Sequence, residues 1–98
     1  MNRLVLRAQV VERGALRWTP AGLPALALVL KHESEALEAG MPRKVSLEIR
    51  AVAVGEIAQP IAAAEVGTTA EFDGFLATRR NGRGIVYHVT AFTPSHPD

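Results

Sequence analysis

Cysteine is absent from the chain. That excludes a disulfide scaffold and any zinc site built on thiolates. Aromatic residues are scarce: Trp18, Tyr87, Phe72, Phe75 and Phe92 are the whole set. Much of the 48% hydrophobic fraction is alanine, so the core is modest. A chain of 98 residues buries only about two-thirds of the surface its unfolded form exposes. Pairing with a second copy would add stability. No apolar run approaches the ~20 residues of a membrane span. Arg3 and Arg7 enclose only Leu4, Val5 and Leu6, far short of the about 7–15 apolar residues of a secretory signal. These absences predict a soluble, cytoplasmic protein with no membrane partner, one domain over 1–98.

Charge is nearly balanced, at a formal +1, but its signs are segregated. From Thr78 to Pro97 there are three arginines and no acid, while Glu33, Glu35 and Glu38 gather elsewhere. Such a distribution suits a protein with one basic face.

Hydrophobic periodicity supplies the elements. Leu4, Leu6, Ala8 and Val10 alternate with Val5, Arg7, Gln9 and Val11, the period of a strand over 4–11. A long loop from about Gly14 to Pro24 follows, and its Thr19-Pro20-Ala21-Gly22 run has the residue order of a type I turn. Ala25 to Lys31 is a second strand with Leu26, Leu28 and Leu30 on one face. His32 to Pro42 is polar and ends in Gly40 and Pro42, so it reads as a loop. Arg43 to Val54 is a third strand, with Val45, Leu47, Ile49 and Ala51 opposed to Lys44, Ser46, Glu48 and Arg50. Gln59 to Glu65 is suited to a short helix with proline near its start. It is too short to stand alone, so it must cap something.

The last two strands flank Arg79-Arg80-Asn81-Gly82-Arg83-Gly84. Asn-Gly is the strongest short-range hairpin signal. A two-residue Asn81-Gly82 turn sets Leu76 opposite Tyr87, Gly74 opposite Val89 and Phe72 opposite Ala91. One face then collects Phe72, Leu76, Tyr87, Val89 and Ala91. The other carries Glu71, Asp73, His88 and Thr90, with Phe75 and Phe92 as apolar exceptions. Three strands, a short helix, then two strands is the layout of an OB-fold, a five-stranded Greek-key barrel with a helix between its third and fourth strands. An open meander is the alternative.

The same turn would place Arg80 opposite Arg83, an unfavourable like-charge pair, with Arg79 close by. Two readings fit: a solubilising tip, or an electrostatic finger for phosphate. Other cations and one aromatic fall in segments that an OB-fold brings near: Arg17 and Trp18 in the first loop, Lys31 at the end of the second strand, Arg43 and Lys44 at the start of the third. Arginine beside tryptophan suits single strands, one for phosphate and one for stacking on a base. Catalysis finds no support. His32, His88 and His96 show no ligand spacing, Ser34, Ser46 and Ser95 lie in no nucleophile motif, and Gly82-x-Gly84 precedes no helix. Neither an enzymatic role nor a cofactor is expected.

Three stretches carry a family resemblance: NRLVLRAQV at 2–10, LRWTPAGLPALALVLKHESEALEAG at 16–40 and GFLATRRNGRGIVYH at 74–88. Together they resemble the primosomal replication protein N (PriB) family, relatives of bacterial single-stranded DNA-binding protein. The Asn2-Arg3-Leu4 start, the turn at Pro20, Gly22 and Pro24, and Val29-Leu30-x-His32 are the more specific parts. General single-stranded DNA-binding proteins add a long acidic tail, whereas this sequence stops at Asp98, which suits the shorter family. The resemblance implies an OB-fold homodimer that binds single-stranded DNA and works in replication restart with the primosomal helicase and helicase-loading proteins. Carried onto this chain, the family's DNA face would include Arg17 and Trp18, the segment Met41 to Ser46, and the loop from Arg79 to Arg83. Better-known members have aromatics where this chain has Met41 and Ser46, and often a basic residue where it has Trp18. The missing aromatics leave open a protein-interaction adaptor with decayed DNA binding. An RNA-binding OB domain is the third reading.

Overall fold

The computed structural model describes residues 1–95; His96, and with it the end of the polar tail through Asp98, lies outside them. The order is β1 (Leu4–Arg13), β2 (Arg17–Trp18), β3 (Pro24–Glu38), β4 (Met41–Val54), α1 (Ala58–Ala63), β5 (Thr69–Thr78) and β6 (Ile85–Pro94). Neighbours run β1-β5-β6-β4-β3, and β1 also pairs β3, so five strands close on themselves. Closure needs β1 to serve two partners. Leu4 to Gln9 pair with β5, and Gln9 to Arg13 pair with β3 across an irregularity after Val10. β4 meets β6 in parallel at Ala51↔Tyr87 and Val52↔His88. β2 is a two-residue annex, Arg17↔Ala25 and Trp18↔Pro24. With its helix between β4 and β5, this barrel is an OB-fold.

The alternation read from the sequence fills the barrel. Val10, Leu26, Leu30, Phe72 and Tyr87 are buried. The Tyr87 hydroxyl donates to the Leu4 carbonyl oxygen at 2.6 Å, which satisfies the polar end of a buried ring. Helix α1 begins one residue earlier and ends two sooner than the expected span, and it seals the barrel by burying Ala58 and Ile61. The expected turn forms: Gly22 N–H donates to the Thr19 carbonyl at 2.8 Å.

Three expectations are corrected. His32 to Pro42 is not a loop. β3 and β4 continue through it as a two-stranded arm with an unbroken register from Ala25↔Val54 to Glu38↔Met41. The arm closes on Ala39 and Gly40, both left-handed at φ 53° and 76°, the conformation of a type I′ hairpin. Alanine rarely adopts it, which is why the sequence pattern hid the turn. Lys31 is therefore internal to β3, and Arg43 and Lys44 are internal to β4.

Phe72 pairs with Phe92, not Ala91, because the register of β5 and β6 shifts after Asp73 and leaves Thr90 as an extra residue in β6. This β-bulge turns Phe92 inward, where its ring centroid lies 5.5 Å from that of Phe72. The inner-face pairing holds below it, at Leu76↔Tyr87 and Gly74↔Val89.

The β5–β6 tip is not a two-residue turn. The strands stop at Thr78↔Ile85. Gly82 N–H donates to the Arg79 carbonyl at 2.8 Å and Arg79 N–H donates to that of Gly84 at 3.0 Å. The turn therefore centres on Arg80 and Asn81, with Gly82 and Gly84 at positive φ. Arg80 and Arg83 are not a facing ladder pair, so the like-charge conflict expected between them is relieved. The Asn81 side chain supports the tip by accepting from Arg83 N–H at 2.9 Å.

Candidate nucleic-acid interface

An open groove of about 1000 Å³ crosses the outer face of β3 and β4. One wall is the β1–β3 connection, through Gly14, Arg17 and Thr19. The other is the β5–β6 hairpin, through Thr78, Arg79, Arg80 and His88. The floor is low where the outward residues of β3 and β4 are small, at Ala25, Ala27, Val52 and Val54, and Arg50 rises from β4 beside them. Five arginines line it (Arg13, Arg17, Arg50, Arg79 and Arg80) against one acid, Glu12. An apolar floor between basic walls can take bases along its length and phosphates at its rims.

These arginines are not equivalent. Arg13 donates through Nη1 to the Ala64 carbonyl, just past the end of α1. That contact ties the helix to β1 and occupies the guanidinium. Among the described residues, no ion pair involves Arg17, Arg50, Arg79 or Arg80. Their charge is left to the groove.

The arm divides the remaining expected residues. Side chains alternate along β4, so Lys44 and Ser46 share the outer face with Arg50, while Met41 and Arg43 point the other way. The segment Met41 to Ser46 thus divides its candidates between the two faces of the arm. Lys31 lies on the outer face, 3.6 Å from Glu33. Arg43 is ion-paired with Glu38 on the opposite face. Lys44 stands across from Glu35, and Lys31 across from Glu48. Beyond the groove the outer face of the arm is thus mixed in sign. None of these arm residues lines the groove, and neither does Arg83. Trp18 sits beside the groove residue Arg17, pinned opposite Pro24 yet 63% exposed.

Two features escaped the sequence reading. Arg50 was legible only as one outward residue of an alternating strand; closure of the barrel sets it at the groove. Phe75 and His88 face each other across β5 and β6. Their rings stack with centroids 4.8 Å apart and planes 5° from parallel. The expected hairpin register already placed both on the outer face, but an apolar exception beside a histidine did not announce a stack.

The histidine at the base of the arm is committed locally. His32 bonds through Nδ1 with the Arg7 carbonyl at 2.7 Å and through Nε2 with the Ser34 hydroxyl at 2.8 Å. No three histidines or acids gather as a metal-binding group among the described residues. Among the described residues no helix is long and apolar enough to cross a membrane. Beside the bulge, Arg3 grips the Asp73 carboxylate with two hydrogen bonds, and those bonds hold the Asp73 carboxyl below its usual range.

The chain has clear relatives. Residues 2–91 match a family described as another single-strand binding protein family. The replication restart protein PriB of Bordetella pertussis is 56% identical over 80 residues, covering 82% of this chain and 75% of that protein. The PriB of Nitrosomonas europaea is 33% identical over 89 residues, covering 90% of this chain and 82% of the relative. The solved structure of PriB from Ralstonia solanacearum superposes with a TM-score of 0.90 at 34% identity, over 98% of this chain and 99% of that one. The single-stranded DNA binding protein of Thermus aquaticus shares the fold, with a TM-score of 0.77 at 23% identity, over 98% of this chain and 50% of its own. By its sequence along the barrel and by the barrel itself, the chain belongs to the PriB family of replication restart proteins, within the single-strand binding proteins.

Proposed function

We propose that the protein is a non-catalytic single-stranded DNA-binding accessory factor of replication restart. The observation that carries this reading is the groove: a low apolar floor between two basic walls, with four arginines that no ion pair engages among the described residues. Arg17, Arg50, Arg79 and Arg80 neutralise phosphates, and Trp18 stacks on a base at the rim. Phosphate contacts hold any sequence alike, which suits a protein that must accept whatever strand a stalled fork exposes. Lys31, Lys44 and Ser46 extend the track along the outer face of the arm. Met41 and the Arg43–Glu38 pair, on its other face, are available for protein contacts.

The whole chain acts as one domain, in the cytoplasm and as a homodimer. The first half of β1 supports the dimer. Among the described residues Leu4 to Ala8 pair with β5 alone, so no second strand covers their other edge, and Val5 is 47% exposed. Open edges invite pairing with a copy. Its partners in restart are the primosomal helicase and the helicase-loading proteins.

Fluorescence anisotropy with labelled oligo-dT, the matching RNA and duplex DNA tests the function. Tight, salt-sensitive binding of oligo-dT over the other two supports it. Preference for RNA would make the chain an RNA-binding OB domain. No binding at low salt would leave an interaction adaptor.

A further inference from the structure

We propose that Phe75 and His88 form a base-stacking platform at the edge of the groove, where His88 lines it and Phe75 backs His88; the proposal rests on the reading of that groove as a single-stranded DNA interface. A scattered exposed apolar residue carries no information by itself. This one has a setting that does. Phe75 is 39% exposed on the outer face of β5, and its ring lies flat against the imidazole of His88, which lines the groove. The pair continues a straight row across four strands: Ala27 opposite Val52, Val52 opposite His88, His88 opposite Phe75. Within that row only the last two members are large. The small floor residues Ala27 and Val52 leave room beside two rings that are already parallel.

Two stacked rings offer a planar surface that a nucleobase can extend, since every base has a π-face. The phosphate ligands are near at hand in the chain. Arg79 and Arg80 follow Phe75 at the end of the same hairpin, and Arg50 precedes Val52 on β4 by two residues, on the same face. A strand lying in the groove therefore meets cations on either side of a planar surface. Met41 and Ser46, near the start of β4, carry no ring; the stacked pair stands on β5 and β6. The arrangement reads no base identity and tolerates any sequence.

Oligo-dT and a backbone-matched oligonucleotide of abasic sites separate stacking from phosphate contact. Phe75→Val and His88→Thr remove the rings but keep β-branched residues suited to strands, and His88→Tyr restores a ring. Expected is a loss of about 5- to 150-fold in oligo-dT affinity for each ring-removing variant. The salt slope and the affinity for the abasic strand should stay as in wild type, and His88→Tyr should recover most of the loss. Folded variants that bind oligo-dT like wild type, or that lose equally on the abasic strand, would overturn the platform and leave the pair as a cross-strand contact of the sheet. A wild-type protein that binds no oligo-dT would instead overturn the functional reading itself, and the platform with it.

Discussion

Gly74 lies so close to His88 that a β-carbon on it would stand 1.8 Å from the His88 carbonyl oxygen. The obstacle is backbone, so no side-chain rotation relieves it. The approach is tight because the β5–β6 register shifts beside this residue, between Asp73 and Gly74. Gly74→Ala should therefore prise β5 from β6 and cost about 1–3 kcal/mol or more, as overpacking does. Gly82→Ala is the control. It sits at positive φ with open space around it, so only backbone strain of about 1–2 kcal/mol applies. Urea denaturation of the two variants should rank them in that order.

The arginines can be sorted by salt dependence. Arg79 and Arg80 line the groove, and Arg83 does not. Each phosphate contact on a single strand contributes about 0.7 to the slope of log affinity against log salt. Replacing Arg79 and Arg80 together with alanine should flatten the slope by about 1.4, and Arg83→Ala should change it less. Equal slopes for wild type and the double variant, with the fold intact by circular dichroism, would reduce the tip to a solubilising loop.

Trp18 is the sole tryptophan, so its emission reports one site. Saturating oligo-dT should quench it, and Trp18→Ala should weaken binding by about 1–3 kcal/mol, the usual range for one stacked base. Unchanged emission at saturation would return Trp18 to the role of a loop anchor opposite Pro24.

Tyr87 sets an alkaline limit to stability. Burial of its ring, helped by the negative charge of Asp73, pushes its pKa up to about 12. The folded chain thus favours the neutral phenol. That contribution is complete below the unfolded value of about 10 and is lost as pH climbs from there to about 12. Stability to urea should hold up to about pH 10 and then fall. Tyr87→Phe should remove this part of the decline, at a loss of about 1 kcal/mol at neutral pH for the hydrogen bond to Leu4.

The oligomer can be weighed directly. Sedimentation equilibrium at micromolar concentration should give twice the mass of one 10.5 kDa chain. Val5→Lys should lower that mass by placing a charge on the exposed face of β1. A single-chain mass for the wild type would rule out the dimer.

The barrel was legible wherever one face of a strand is buried. Leu26, Leu28 and Leu30 announce β3, and Phe72 with Tyr87 announces the inner face of the last hairpin. Legibility failed where burial stops. The β3 half of the arm, beyond Lys31, has both faces in water, so its polar residues show no period-2 contrast, whereas Val45 and Leu47 still mark the β4 half; the turn between them uses an alanine in an unfavoured conformation. The bulge at Thr90 was hidden because a strict alternation carried through it still looked consistent. At the groove, the loop residues Arg17, Arg79 and Arg80 stood out as local charge. Arg50 and the Phe75–His88 stack depend on which strands become neighbours, and no local pattern carries that.

The arm of β3 and β4 also has a bearing on how this chain can change length. Past Lys31 the two strands pair with each other and not with β1. Because the side-chain period is two, removing a pair of residues from each strand next to the Ala39-Gly40 turn leaves every remaining residue facing the same way. A lone insertion or deletion in one strand swaps inner for outer faces between that point and the turn, and sends the neighbours of Lys44 to the wrong side. Length variation here should therefore come in matched steps, and such a step shortens the outer track while leaving the barrel and its groove untouched.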